Sequence, residues 1–88
     1  MVGWEIELSQ RAERSLRKLD RQVARRIRDA LVRLAAAQEP WDACKALSGP
    51  LTGFWRYRVG DYRIVLDFDR GRFVIIALDL GHRSDIYT

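Results

Sequence analysis

Arg56, Arg58 and Arg63 lie within one short stretch, Phe54-Trp55-Arg56-Tyr57-Arg58-Val59-Gly60-Asp61-Tyr62-Arg63-Ile64-Val65-Leu66. Runs of aromatic and β-branched residues flank Gly60-Asp61, and a Gly-Asp pair in that setting is a two-residue hairpin loop, because glycine tolerates positive φ. If Val59 pairs with Tyr62 across the loop, Arg58 stands directly opposite Arg63. Side chains alternate along a strand, so Arg56 and Arg58 share one face while Trp55, Tyr57 and Val59 take the other. Like charges opposite each other destabilise a sheet, so the cluster asks for a reason outside folding. A bound polyanion supplies one. The guanidinium fork grips phosphate oxygens bidentately but does not give up its proton, which suits it to stabilising negative charge and not to acting as a base. Near the end of the chain, Gly81-His82-Arg83-Ser84-Asp85-Ile86-Tyr87 gathers the only histidine, another arginine and a tyrosine. Histidine, with an intrinsic pKa of about 6.5, is the side chain best suited to proton transfer at neutral pH.

The elements that must position these groups can be read in order. Trp4-Glu5-Ile6-Glu7-Leu8 alternates apolar and charged residues, the pattern of a short edge strand with one buried face. Ser9 can cap a helix that buries Ala12, Leu16 and Leu19, and Asp20 can cap a second. Val23, Ile27, Ala30, Leu31 and Leu34 give that second helix its apolar stripe. Glu39-Pro40-Trp41 ends the helical pattern, because proline disfavours helix in the residue before it. A loop rich in turn residues, from Lys45 to Gly53, leads into the hairpin. Asp69-Arg70-Gly71-Arg72 makes another turn, and Phe73-Val74-Ile75-Ile76-Ala77-Leu78 reads as a strand buried on both faces. The order β-α-α-β-β-β predicts an α+β fold, residues 1–88 forming one domain with its two N-terminal helices on one face of a mostly antiparallel sheet. Trp55, Tyr57, Val59, Tyr62, Ile64, Leu66 and Phe68 are expected under the helices. Phe54, Arg56, Arg58, Arg63 and Val65 are expected on the open face.

Charge narrows the partners. The 88 residues carry 16 Lys+Arg against 12 Asp+Glu, a net +4 with a pI near 9.8, a balance that suits nucleic acid or an acidic protein. Between Ser9 and Gln38 nine basic residues face three acidic ones, Glu13, Asp20 and Asp29. That charge either solvates the exposed helix faces or touches phosphates of a large RNA without reading its sequence. Cys44 is the only cysteine, so an internal disulfide is excluded and a reducing cytoplasm is expected. One cysteine and one histidine are too few for a protein-built zinc site, so neither metal nor other cofactor is expected. No apolar run approaches a membrane span, and Met1-Val2-Gly3-Trp4-Glu5 does not read as a signal peptide, so no membrane partner is expected either.

Three segments together, Lys45-Ala46-Leu47-Ser48-Gly49-Pro50-Leu51, Tyr57-Arg58-Val59-Gly60-Asp61-Tyr62-Arg63 and Gly81-His82-Arg83-Ser84-Asp85-Ile86-Tyr87, resemble the RelE branch of the RelE/ParE toxins of bacterial type II toxin–antitoxin pairs. The likeness runs over nearly the whole chain. It implies a small toxin that enters the ribosomal A site, cuts mRNA there as an endoribonuclease and is silenced by a cognate antitoxin. Carried over, it assigns phosphate contacts to Arg56, Arg58 and Arg63, with Lys45 as a further RNA contact. It gives transition-state stabilisation to Arg83, and base stacking or proton handling to Tyr87. Arg58, Arg63, His82, Arg83 and Tyr87 are thus the expected catalytic set. Well-studied members have lysines where Arg56 and Arg58 stand, which leaves the general base unassigned. Two other readings share the fold: a ParE-like toxin that binds DNA gyrase without catalysis, and a member that keeps antitoxin binding but has lost nuclease activity.

Overall fold

The computed structural model describes residues 3–82. Strand β1 (Glu5–Leu8) is followed by helices α1 (Gln10–Arg17) and α2 (Arg21–Ala35), then by strands β2 (Lys45–Ala46), β3 (Trp55–Val59), β4 (Tyr62–Asp69) and β5 (Val74–His82). The sheet order is β1-β5-β4-β3-β2. β1 runs parallel to β5, and every other pair is antiparallel. Two helices thus pack on a mixed five-stranded sheet, the α+β arrangement expected from the order of elements.

Local chemistry sets the helix boundaries. The Ser9 hydroxyl accepts from the Ala12 backbone N–H at 3.0 Å, and the Asp20 carboxylate accepts from that of Gln22 at 3.0 Å. Each satisfies a donor that a helix start leaves without a partner. Ser9 also donates its hydroxyl proton to the Leu78 carbonyl at 2.6 Å, tying the start of α1 to β5. Ser9→Ala removes both bonds and is expected to lower unfolding free energy by about 1–2 kcal/mol in urea denaturation.

The apolar stripes of α1 and α2 meet one face of the sheet. Leu16, Ile27, Ile64, Leu66 and Ile75 are fully buried there, with Ala30, Leu31, Leu34, Ala77 and Leu80 around them. Tyr57 crosses from β3 to α2, donating its phenolic proton to the Ala30 carbonyl at 3.1 Å. At the far end of the sheet Trp4 meets Trp41, Phe68 and Phe73 edge to face, with centroids 5.3–5.9 Å apart.

Three details differ from the sequence reading. Lys45 and Ala46 are not loop but a short strand, because their backbone pairs with Arg56 and Trp55 on the otherwise open edge of β3. Phe73 belongs to the turn before β5; it adopts φ 57°, in the left-handed region, and keeps its ring against Trp4. The third is a β-bulge: Leu66 pairs with Ala77 and Val65 with Asp79, so Leu78 is the extra residue. One extra residue reverses which side chains face which side of a strand. Beyond the bulge, Leu80 therefore joins Ala77 in the core instead of facing outward.

Candidate nucleic-acid interface

Gly60 opens the hairpin with φ 59°, the left-handed conformation that the first central residue of a type II′ turn requires. The turn fixes the register, Val59 to Tyr62 and Arg58 to Arg63, as the sequence reading expects. Tyr57 and Val59, on the opposite pleat, are held by α2 and the core, so Arg56 and Arg58 face away from the helices.

β2 adds a fourth cation. Lys45 is the cross-strand partner of Arg56, whose other partner is Val65. One row across the sheet therefore reads Lys45, Arg56, Val65, Asp79, and the next reads Arg58, Arg63, Gly81. Val65 is only 7% exposed although it lies on the face expected to be open. Long arginine stems can shield an apolar neighbour while keeping their charge in water.

Among the described residues, none of Lys45, Arg56, Arg58 and Arg63 forms an ion pair. Asp79, their neighbour in register, turns to Arg11 at 3.6 Å. Asp69, further along β4, accepts from the Arg72 guanidinium at 2.7 Å, and that bond holds its carboxyl below the usual range. Arg58 Nε reaches the Gly60 carbonyl at a long 3.5 Å. Arg63 Nε is buried with no hydrogen-bond partner among the described residues. A buried N–H left in that state costs about 1–3 kcal/mol. Gly81, the β5 partner of Arg63 in register, contributes no side chain beside it.

His82 does not join the arginines. It pairs with Tyr62, and their rings meet edge to face at 5.5 Å on the side of the sheet that the helices cover. The cause is the bulge at Leu78: strict alternation from Ile75 and Ala77 would have aimed His82 at the arginine face. It lines instead a shallow pocket with Ser15, Lys18, Leu19, Tyr62, Leu80 and Gly81. Ser15, Lys18 and Tyr62 were not singled out by sequence, and no local signal could have done so, since α1, β4 and β5 meet only in the folded chain. Arg83 and Tyr87 lie outside the described residues.

The cationic face is equipped to bind phosphates and to stabilise charge growing on phosphorus. It holds no histidine, and the nearby thiol is no substitute. Burial pushes Cys44 up to about 11, so it stays protonated at neutral pH. Among the described residues no cluster of His, Cys, Asp or Glu is suited to a metal ion, and no helix is long and apolar enough to cross a membrane.

Comparison with known proteins gives this geometry a context. The sequence profile for the ParE toxin of type II toxin-antitoxin system, parDE, matches residues 6–87. No curated protein gives a significant match. Among solved structures, the toxin–antitoxin complex RelBE2 from Mycobacterium tuberculosis aligns with a TM-score of 0.75 at 27% identity, covering 97% of each chain. The archaeal RelE–RelB complex from Pyrococcus horikoshii OT3 aligns at 0.73 and 22% identity, over 96% of this chain and 99% of that one. The isolated E. coli RelE toxin aligns at 0.71 and 21% identity, over 90% and 83%. The last two, at such identities, are similar in fold alone.

Proposed function

This chain belongs to the ParE toxin family of type II toxin–antitoxin systems, within the RelE/ParE toxins, and from that premise we propose that it is a metal-independent endoribonuclease that cuts ribosome-bound mRNA. The observation that carries this reading is the facing pair Arg58–Arg63, without ion pairs among the described residues and with a buried Arg63 N–H still to be satisfied. A phosphodiester seated on this pair relieves the like-charge repulsion and satisfies that donor in one step.

In the proposed reaction the 2′-hydroxyl oxygen attacks the adjacent phosphorus, and the bond from phosphorus to the 5′ oxygen breaks. The products are a 2′,3′-cyclic phosphate and a free 5′-hydroxyl. Arg58 and Arg63 stabilise the charge that builds on the phosphate oxygens, while Arg56 and Lys45 hold the flanking backbone. By family resemblance Arg83 adds a further transition-state contact, and Tyr87 stacks on a base or moves a proton. Because arginines keep their protons, in-line positioning of the message by the ribosome supplies much of the rate. Free RNA is therefore a poor substrate. A cognate antitoxin neutralises the toxin; the M. tuberculosis and P. horikoshii proteins of this fold were solved as such complexes.

A second reading has its own observation. With His82 on the far side of the sheet, the arginine face lacks the side chain best suited to proton transfer, as a toxin that binds its target without cutting it would. DNA gyrase inhibition is that alternative. Purified toxin added to a translation extract, with primer extension on the message and gyrase supercoiling measured in parallel, separates the two. New 5′ ends confined to the A-site codon, with supercoiling unchanged, are expected. Inhibited supercoiling without cuts would establish the alternative.

A further inference from the structure

The proposed reaction leaves the 2′-hydroxyl proton without a destination. Arginine does not accept it, Cys44 is itself held protonated by burial, and His82 lies on the side of the sheet that the helices cover. The bulge that turns His82 away also brings a carboxylate to the arginine face. Beyond Leu78 the side chains of β5 change sides, so Leu80 enters the core and Asp79 stands directly opposite Val65, on the pleat of Arg63. Arg63 is itself opposite Gly81, which makes Asp79 its diagonal neighbour, with Cβ atoms about 7 Å apart.

Asp79 is anchored without being used up. Its Oδ1 accepts from the Leu80 backbone N–H at 2.9 Å. Its Oδ2 lies 3.6 Å from the Arg11 guanidinium, close enough for an ion pair but too far for a hydrogen bond, so lone pairs remain for a bound hydroxyl. The side chain is 32% exposed, and among the described residues none of Lys45, Arg56, Arg58 and Arg63 pairs with it. Other carboxylates fit less well. Asp67 shares the pleat but is four residues from Arg63, about 13 Å along β4. Asp61, on the exposed turn, has no ion pair among the described residues to fix it.

We propose that Asp79 is the general base of the cleavage reaction, its carboxylate taking the proton of the attacking 2′-hydroxyl. The proposal rests on the reading that the message is the substrate. As the 2′ oxygen bonds to phosphorus and the bond to the 5′ oxygen breaks, the 2′ proton passes to Asp79 Oδ2. The departing 5′ oxygen takes a proton from water, and Asp79 gives its own to the hydroxide left behind, which restores the toxin. The placement also orients the message. The ribose on the 5′ side of the scissile phosphate lies over β5, and the 3′ side runs across β3 towards Arg56 and Lys45.

The test is single-turnover cleavage of ribosome-bound message by the full chain. D79N and D79S are each expected to slow cleavage by about a hundredfold or more, the usual contribution of a positioned base. The toxin concentration giving half the maximal rate should not rise, because removing a negative charge from the face cannot weaken its hold on phosphate. R11Q, which breaks the ion pair and leaves the Leu80 N–H in place, should slow cleavage less than fivefold. A message whose scissile 5′ oxygen is replaced by sulfur separates base from acid, since a thiolate leaves without a proton. D79N should be slowed by the same factor on this substrate, and thermal unfolding should show all variants folded.

Cleavage by D79N and D79S within threefold of wild type would overturn the proposal. An R11Q variant as slow as D79N would reduce Asp79 to a partner in an ion pair and overturn it as well. So would a D79N defect that disappears on the sulfur substrate, because Asp79 would then be supplying a proton and not removing one. The two readings fail separately: wild-type protein that makes no A-site cuts defeats the nuclease reading, whereas A-site cuts made equally well without the Asp79 carboxylate defeat this one alone.

Discussion

Arg63→Gln is expected to lower cleavage of ribosome-bound message by about a hundredfold or more while leaving the fold as stable as before, or more so. Loss of one preorganised donor at a developing oxyanion costs about 3 kcal/mol of transition-state stabilisation. In the free protein the same guanidinium is a burden. It faces Arg58 across the ladder, and its Nε is buried without a partner among the described residues. Removing a like-charge cross-strand pair is worth about 0.2–1 kcal/mol, and glutamine keeps much of the side-chain volume. A fall in activity with unchanged or raised stability marks a residue kept for its ligand and not for packing. Primer extension gives the first quantity and urea denaturation the second. Cleavage within threefold of wild type would remove Arg63 from the site.

One residue further along β4 the expectation reverses. Ile64→Ala should destabilise the domain by about 2–5 kcal/mol, the usual range when a fully buried aliphatic side chain is cut back and a cavity remains. Ile64 lies between the sheet and the helices, where the core is closed by Leu16, Ile27, Leu66 and Ile75. Small domains have only about 5–15 kcal/mol in total, so this one substitution removes a large fraction. Below the unfolding midpoint the surviving folded molecules should still cut at the wild-type rate, because the arginine face is on the other pleat. A loss of less than about 1 kcal/mol in urea would mean that the helices do not seal this face. Neighbouring positions with opposite outcomes follow from strand alternation alone.

The hairpin and the helices were legible in the chain because their determinants are local. Gly60-Asp61 is sufficient to set Arg58 against Arg63, since a two-residue turn leaves one register. Ser9 and Asp20 cap the two helices, and the apolar spacing from Val23 to Leu34 decides which side of α2 turns inward. The arginine pair and its face were therefore available from residue type and period.

What the chain could not show depends on segments far apart in sequence. Lys45 reaches Arg56 only because two residues of an apparent loop find a free strand edge, a pairing with no local pattern. β1 lies beside β5 in parallel, and nothing in Trp4–Leu8 specifies that neighbour. The position of His82 is decided by a single unpaired residue, Leu78. A bulge is a mismatch between two strands and so belongs to neither sequence by itself. Local propensity and period fix the elements and their inward faces, whereas which faces come to share a site is settled by long-range pairing and the packing that selects it.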